Sequence, residues 1–142
     1  MNLDTFNLNR FILAQNRVYD NVLAELQDGN KRTHWMWYIF PQLKSLGYRY
    51  KARFYGISGI EEAQAYIANS TLETRLKKVC EIILQLPVND AVEIFGRVDA
   101  MKLRSSMTLF DLISPNDVYA RVLEKYYQGQ RDERTISIID ND

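Results

Sequence analysis

Apolar residues recur every three or four positions along most of the chain, with polar residues between them, and this is the pattern of amphipathic helices. Residues 8–27 show it first, through apolar positions that include Phe11, Val22 and Leu26. Later segments with the same period predict helices over 59–69, 71–86, 90–95, 100–113 and 115–128, and one turn after Asp132. The pattern indicates an all-α fold, a single multihelical domain of about seven helices.

Residues that favour helix ends set the expected boundaries. Ser70 and Glu73 have the spacing of a capping box, and Ser114 stands before a proline at the start of the next helix. Gly96 is expected to close one helix, and Asp99 is expected to cap the following one. The domain is expected to span residues 1–142, with fraying at 1–6 and 139–142.

Residues 34–42, His-Trp-Met-Trp-Tyr-Ile-Phe-Pro-Gln, form what we call the aromatic segment. As a helix it has no polar face, so it belongs in the interior, and Pro41 ends it at Phe40. At least one of Trp35 and Trp37 is therefore expected to be buried. Two compatible interpretations remain, a structural plug of the core and the aromatic wall of a ligand pocket.

The predicted helix 100–113 is the second informative stretch, because apolar residues surround it while four polar side chains interrupt them. These are Lys102, Ser105, Ser106 and Thr108. Serines can bond to their own helix, whereas a buried ammonium needs another partner. We therefore expect Lys102 to lie in a cleft bordered by the aromatic segment, with Ser105 or Ser106 alongside.

The two stretches together predict a binding site for a small polar or anionic, nucleotide-like ligand. Its candidate binding residues are Trp35, Trp37, Gln42, Lys102, Ser105, Ser106 and Thr108. The candidates for catalysis are His34, Lys102 and Ser106, because histidine titrates near neutrality and burial lowers the pKa of a lysine. Each also has an ordinary structural interpretation, as a packing histidine or as a lysine whose stem reaches water.

Residues 48–54 alternate aromatic or small side chains with the cations Arg49, Lys51 and Arg53. Alternation favours a strand, but the helical neighbours and nearby glycines favour a loop or short helix, with an isolated extended piece as the alternative. Interleaved rings and cations also suit bases and phosphates, although many surface segments have the same composition.

Charge and composition narrow the classes of function. Lys plus Arg and Asp plus Glu number 18 each, so no global field draws in nucleic acid or an anionic membrane, and neither partner is expected. The single Cys80 excludes an internal disulfide and is expected to be a core residue. Metal-ligand spacing, glycine-rich phosphate loops and long apolar runs are absent from the sequence. We therefore expect a cytoplasmic protein without metal or cofactor.

Three sequence stretches resemble those of one known family. They are HWMWYIFPQ at 34–42, EAQAYIANSTLETRL after it and KLRSSMTLF at 102–110. The family consists of small bacterial proteins of unknown function that automatic annotation has sometimes mislabelled calpastatin. The resemblance covers Phe11 to Ile138 and implies one multihelical domain, but it implies no catalytic residues. Where the family usually has Gly-Leu-Gly and then serine, this chain has Ser-Leu-Gly-Tyr at 45–48.

The preferred interpretation is a protein that binds its ligand between the two motifs, and the sequence leaves open whether a reaction follows. The alternative is a non-enzymatic protein-interaction module in which the aromatic segment is purely structural. A concavity shared by Lys102 and Gln42 would favour the first, and a dry core beside a broad exposed apolar patch would favour the second. The sequence indicates no particular oligomeric state.

Overall fold

Eight α-helices make up most of residues 4–141, the part of the chain described by this structure, a computed structural model. They are α1 (Asn9–Gln27), α2 (Met36–Ile39), α3 (Tyr50–Phe54), α4 (Ile60–Ala68), α5 (Ser70–Gln85), α6 (Ala91–Ile113), α7 (Val118–Tyr127) and α8 (Glu133–Asp140). A 3-10 turn, Lys44–Leu46, lies between α2 and α3. The predicted all-α fold is confirmed, with one helix more than the seven or so expected.

The helix caps differ from the prediction by a few residues. Asn69, and not Ser70, caps α5 by accepting a hydrogen bond from the Leu72 N–H. Asp117, and not Ser114, caps α7. Asn and Asp side chains are as effective as serine at this position, so neighbouring candidates compete and the backbone decides between them.

Helix α6 is interrupted at Gly96, where the sequence predicts that one helix ends. Gly96 leaves the helical geometry, with φ 80° and ψ 166°, but the helix resumes directly after it. Glycine adopts this left-handed φ at low cost because it has no Cβ. Asp99 therefore lies inside the helix, and its carboxylate pairs with Lys31 and Lys102 and does not act as a cap.

One cluster of apolar side chains from all the long helices forms the core. Helix α6 packs against α4, α7 and α8, while α5 packs against α1, α4 and α7. Cys80 lies in this core as predicted, and burial raises the pKa of its thiol. The expectation that α6 is surrounded on all sides is wrong near its beginning, where Val98 is 66% and Met101 is 64% exposed. That open face is where Lys102 emerges.

The chain between α2 and α4 is a loop closed by backbone contacts at its two ends. The Ile57 N–H donates to the Gln42 carbonyl at 2.9 Å, and the Lys44 N–H donates to the Ile57 carbonyl at 2.8 Å. Gly56 lies so close to the 3-10 turn that a Cβ there would be 2.4 Å from Lys44 Cα. Residues 48–54 contain the short helix α3, which confirms the preferred interpretation over the extended one.

Arg10 of α1 ties this loop to the helical core. Its guanidinium donates to the carbonyls of Phe54 and Gly56 at 2.7 and 3.1 Å, and it pairs with the Glu62 carboxylate of α4 at 2.8 Å. Both charged side chains are nearly buried. The loop is thus held in one position relative to α1 and α4.

At the chain ends, the Asp4 carboxylate accepts hydrogen bonds from the N–H groups of Leu8 and Asn9, and Ile139 of α8 packs on the core. Of the ends predicted to fray, 1–6 and 139–142, residues 1–3 and 142 lie outside the described residues. None of the helices within residues 4–141 combines the length and apolar character needed to span a bilayer.

Candidate functional site

A cleft of about 410 Å³ opens between the aromatic segment, the loop after it and the first half of α6. Trp37, Gln42 and Lys102 line it from the two motifs, and Arg49 and Lys51 line it from the loop. Gln42 is placed there by the backbone bonds that join residues 42–44 to Ile57. Lys102 is placed there by the open face of α6. The structure thus brings the two sequence motifs together at one concavity.

Two lysine ammonium groups lie close to the Trp37 ring. Lys51 Nζ lies 5.0 Å and Lys102 Nζ lies 5.4 Å from its centroid. Both distances are within the range of a cation–π interaction, which contributes ~0.5–1 kcal/mol at partly exposed sites. The Trp37 ring therefore has two cations within cation–π distance, both from side chains that line the cleft.

Lys102 is only partly neutralised by its neighbours. Its ammonium lies 3.6 Å from Asp99 Oδ1, whereas the buried Lys31 lies 2.8 Å from Asp99 Oδ2. One carboxylate thus faces two lysines, and the shorter contact belongs to Lys31. The Lys102 side chain is 26% exposed, so its remaining positive charge is directed at the cleft and not into a dry core.

Trp35 points away from the cleft into the core and is 1% exposed. Its indole N–H donates to Glu25 Oε1 at 3.0 Å, and its ring packs edge-on against Phe95. Of the two tryptophans, the structure therefore brings Trp37 to the cleft and leaves Trp35 as a core residue. The expectation that at least one tryptophan is buried is confirmed.

Glu25 organises the start of the aromatic segment. Besides Trp35, its carboxylate accepts hydrogen bonds from the Asn21 amide, the Arg32 and Thr33 N–H groups and the Thr33 hydroxyl. Burial raises the pKa of this carboxyl, but the hydrogen bonds outweigh that effect and lower it to about 2. The Glu25 carboxylate is therefore ionised near neutral pH, and the hydrogen bonds that it accepts in this form stabilise the fold.

The three hydroxyl side chains on α6 that were predicted to bind a ligand lie in different surroundings. Ser105 lines an adjoining cavity, where its hydroxyl lies 3.2 Å from Asp132 Oδ2. Thr108 is buried, donates to the Arg104 carbonyl and accepts from the Asp132 N–H. Ser106 is buried too, and its hydroxyl has no hydrogen-bond partner among the described residues. Neither Ser106 nor Thr108 reaches the solvent-filled cleft.

His34 is exposed at the start of the aromatic segment, and its carbonyl accepts a hydrogen bond from the Tyr38 hydroxyl. It is not among the residues that line the cleft. The catalytic candidates His34, Lys102 and Ser106 are thus dispersed, and only Lys102 faces the cleft. In residues 4–141, no cluster of three or more His, Cys, Asp or Glu side chains could hold a metal ion.

Sequence reasoning missed Arg49 and Lys51 as site residues, although their alternation with aromatic residues was visible. That alternation was assigned to a surface or a base-stacking segment, because the sequence does not show that the loop folds back over Trp37. The loop returns because Gln42 and Lys44 pair with Ile57, and because Gly47 and Gly56 permit close packing. A Cβ on Gly47 would lie 2.5 Å from Ala52 Cβ.

The fold and the cleft define an all-helical protein whose concave face is cationic and aromatic. The model of the family described as "Protein of unknown function (DUF1810)" matches residues 5–139, and the chain therefore belongs to this family. The match confirms the expected membership in a family of unknown function.

The chain is similar to a conserved hypothetical protein, Rv1873 from Mycobacterium tuberculosis, whose crystal structure is known. The two chains share 45% sequence identity and superpose with a TM-score of 0.94, over 96% of this chain and 99% of that one. A comparison with curated proteins gave no match. The similarity supports the fold and assigns no activity.

Proposed function

We propose that this protein binds a small anionic, nucleotide-like ligand in the cleft beside Trp37. The observation that carries the proposal is the charge of the lining. Arg49, Lys51 and Lys102 line the cleft, and no acidic residue is among the described residues that do so. The whole chain has no net charge, so three cations on one concavity, of which only Lys102 has a nearby carboxylate within residues 4–141, that of Asp99, favour a negatively charged occupant.

The shape and chemistry of the lining support a flat ligand with polar edges. Trp37 and Tyr48 offer ring surfaces, and Gln42 offers an amide that both donates and accepts hydrogen bonds. The volume of about 410 Å³ falls within the ~300–1,000 Å³ typical of small-molecule sites. An aromatic ring stacked in the cleft with a phosphate between Lys51 and Lys102 would use all of these groups.

The proposal concerns binding and not catalysis. Lys102 pairs with Asp99, and the Ser106 hydroxyl is enclosed in the core. An amine acting as a base must lie within hydrogen-bond reach of the proton that it removes, and a nucleophile must be accessible to the substrate. The enclosed Ser106 hydroxyl does not meet the second requirement, so Lys102 faces the cleft without this nucleophile beside it.

A thermal-shift screen of nucleoside monophosphates and inorganic phosphate tests the proposal, because a ligand that binds only the folded state raises Tm. Calorimetry then gives Kd for each compound that raises it. We expect Lys102→Met to weaken binding about tenfold, the value of one charge-assisted hydrogen bond. Its stability should change by less than about 1 kcal/mol, since Lys102 is partly exposed and Asp99 keeps Lys31.

Lys78→Met is the matched control, because Lys78 is exposed on α5 and lies outside the cleft lining. It removes the same charge from the chain without touching the site. Equal affinities of the wild type, Lys102→Met and Lys78→Met would contradict the proposal, as would an absence of binding by every compound in the screen.

One observation favours the alternative of a protein-interaction module. The rim of the cleft exposes apolar side chains, with Tyr48 87%, Val98 66% and Met101 64% exposed. If the rim mediated self-association, sedimentation would detect oligomers that Tyr48→Ser disperses, and no small anion would raise Tm. The two functions therefore give opposite results in the same pair of experiments.

A further inference from the structure

A second cavity of about 370 Å³ adjoins the cleft on the far side of Lys102. Gln42, Tyr48, Val98 and Lys102 line both spaces, so they are two halves of one depression and not separate sites. We call the half beside Trp37 the first half and the half beside Ser105 the second half. Lys102 stands at their junction.

The second half has its own cations. Arg104 and Arg134 line it in addition to Lys102, against a single carboxylate, Asp132. Asp132 Oδ2 is engaged as the cap of α8, where it accepts from the Thr135 N–H and hydroxyl and lies 3.2 Å from the Ser105 hydroxyl. Positive charge therefore exceeds negative charge in this half as well.

The local charge along the chain agrees with this excess. Residues 29–60, some of which line the depression, contain six lysines and arginines and no aspartate or glutamate. The six are Lys31, Arg32, Lys44, Arg49, Lys51 and Arg53. Two of the six pair with carboxylates outside this stretch, Lys31 with Asp99 and Arg32 with Asp28. The zero net charge of the chain thus conceals a local excess of positive charge along this stretch.

The rim between the halves is apolar and exposed. Met101 lines the second half only, whereas Tyr48 and Val98 border both. Exposed apolar groups beside cations suit a ligand whose flat apolar parts alternate with charged parts, because the former cover the rim while the latter meet the cations. Nucleotide units joined by phosphate have this alternation.

We infer that the ligand is a dinucleotide unit, two nucleotides joined by phosphate, that lies across Lys102 with one nucleotide in each half. This inference rests on the proposed function, which requires only the first half. The unit has two sources, a free dinucleotide or the end of a single strand. In either case Lys102 faces the connecting phosphate, and Arg134 faces a charge that a mononucleotide does not reach.

Calorimetry with two nested probes tests the inference. Thymidine 5′-monophosphate fills one half, and the 5′-phosphorylated thymidine dinucleotide fills both. We expect the dinucleotide to bind about tenfold more tightly and with a steeper dependence on salt, since it engages more cations. Arg134→Gln should weaken dinucleotide binding about threefold, the effect of one exposed charge pair, and leave monophosphate binding unchanged.

Two further variants keep the test independent of folding. Arg134→Lys retains the charge and should retain dinucleotide affinity. Met101→Glu places a carboxylate at an exposed position of the second half, and it should weaken dinucleotide binding about fivefold without affecting the monophosphate. A longer oligothymidylate distinguishes the sources, because only a strand-binding site gains affinity and salt dependence with length.

The failure of this inference differs from that of the proposed function. If the monophosphate binds and depends on Lys102, while the dinucleotide binds no more tightly and ignores Arg134→Gln and Met101→Glu, the second half is not part of the site and the inference is overturned. If the monophosphate shows no dependence on Lys102, the proposed function itself fails.

Discussion

The two tryptophans of the aromatic segment are separated by one residue, yet they belong to different regions of the molecule. Trp35 is 1% exposed, donates to Glu25 and packs against Phe95, so its surroundings are fully satisfied. Trp37 lines an open cleft with Lys51 and Lys102 against its ring, and the positive charge around it is only partly neutralised, by Asp99. One segment therefore supplies both a structural anchor and a binding surface.

The difference arises from what each ring meets. The buried Glu25 carboxylate accepts five hydrogen bonds, and one of them comes from the Trp35 indole. Its oxygens are therefore fully used within the protein, and they are not available to a ligand. Around Trp37, one carboxylate, Asp99, is shared by Lys31 and Lys102. Satisfied polar groups stabilise a fold, whereas partly satisfied charges next to an open space are available for recognition.

The largest effect is expected from truncating the anchor. Trp35→Ala should lower the free energy of unfolding by ~3–5 kcal/mol, because it removes a fully buried ring and leaves Glu25 without one donor. Trp37→Ala should cost less than half as much, since its ring is partly exposed. Urea denaturation of both variants measures the difference. Equal losses of stability would remove the distinction between the two regions.

The fold was predictable where the apolar period was regular. Helices α1 and α5, and the two parts of α6 on either side of Gly96, were expected from that period because burial of one face drives their formation. The caps were not, since Ser70 competes with Asn69 and Ser114 with Asp117, and such choices depend on tertiary geometry. Gly96 was recognised as a break, but whether the helix resumes beyond a break is decided by packing.

The candidate site was predictable only in part. Trp37, Gln42 and Lys102 were found by expecting that a lysine in an apolar helix needs a partner outside it. Lys102 does lie in the cleft, but its carboxylate partner, Asp99, is in its own helix. Arg49 and Lys51 reach the cleft only because the loop between α2 and α4 folds back on itself, and this reversal leaves no periodic pattern in the sequence. Glu25 was missed for another reason, because a glutamate in an amphipathic helix has the pattern of a solvated residue. The carboxylate is instead 2% exposed.

The second-largest expected effect is a dependence of the free energy of unfolding on pH, and it originates at Glu25. Its pKa in the folded protein is about 2, below the ordinary value of 4.5, so its stabilising effect is complete above pH 4.5 and is lost as pH falls toward 2. The loss should be roughly 3 kcal/mol. Denaturation midpoints between pH 6 and 2.5 measure it.

Glu25→Gln serves as the control for this pH dependence. It should be less stable than the wild type at pH 7, because an amide satisfies fewer of the five donors, and its stability should decline less between pH 5 and 3. A parallel decline in the two proteins would show that other carboxylates cause the loss.

A smaller effect is expected from Gly56→Ala, which should change the cleft and leave the core around Trp35 unchanged. In Gly56→Ala the new Cβ would lie 2.4 Å from Lys44 Cα, so the loop must shift, at a cost of ~1–3 kcal/mol. Because the loop carries Arg49 and Lys51, ligand affinity should fall as well. The indole of Trp35, which lies on the other side of the aromatic segment, should keep its environment. Near-ultraviolet dichroism and calorimetry together check this, and unchanged affinity would contradict the role of the loop.

The smallest effect concerns one cation on the Trp37 ring. Lys51→Met keeps the length of the side chain and the helix propensity of α3, so stability should change by no more than the ~0.5–1 kcal/mol of the lost cation–π contact. Affinity for thymidine 5′-monophosphate should fall about threefold, because one of the two ammonium groups on the ring is lost. Lys44→Met is the control, since Lys44 is exposed on the same loop but does not line the cleft. Equal losses in the two variants would mean that the loop attracts anions through its general field, and that Trp37 is not the position at which they bind.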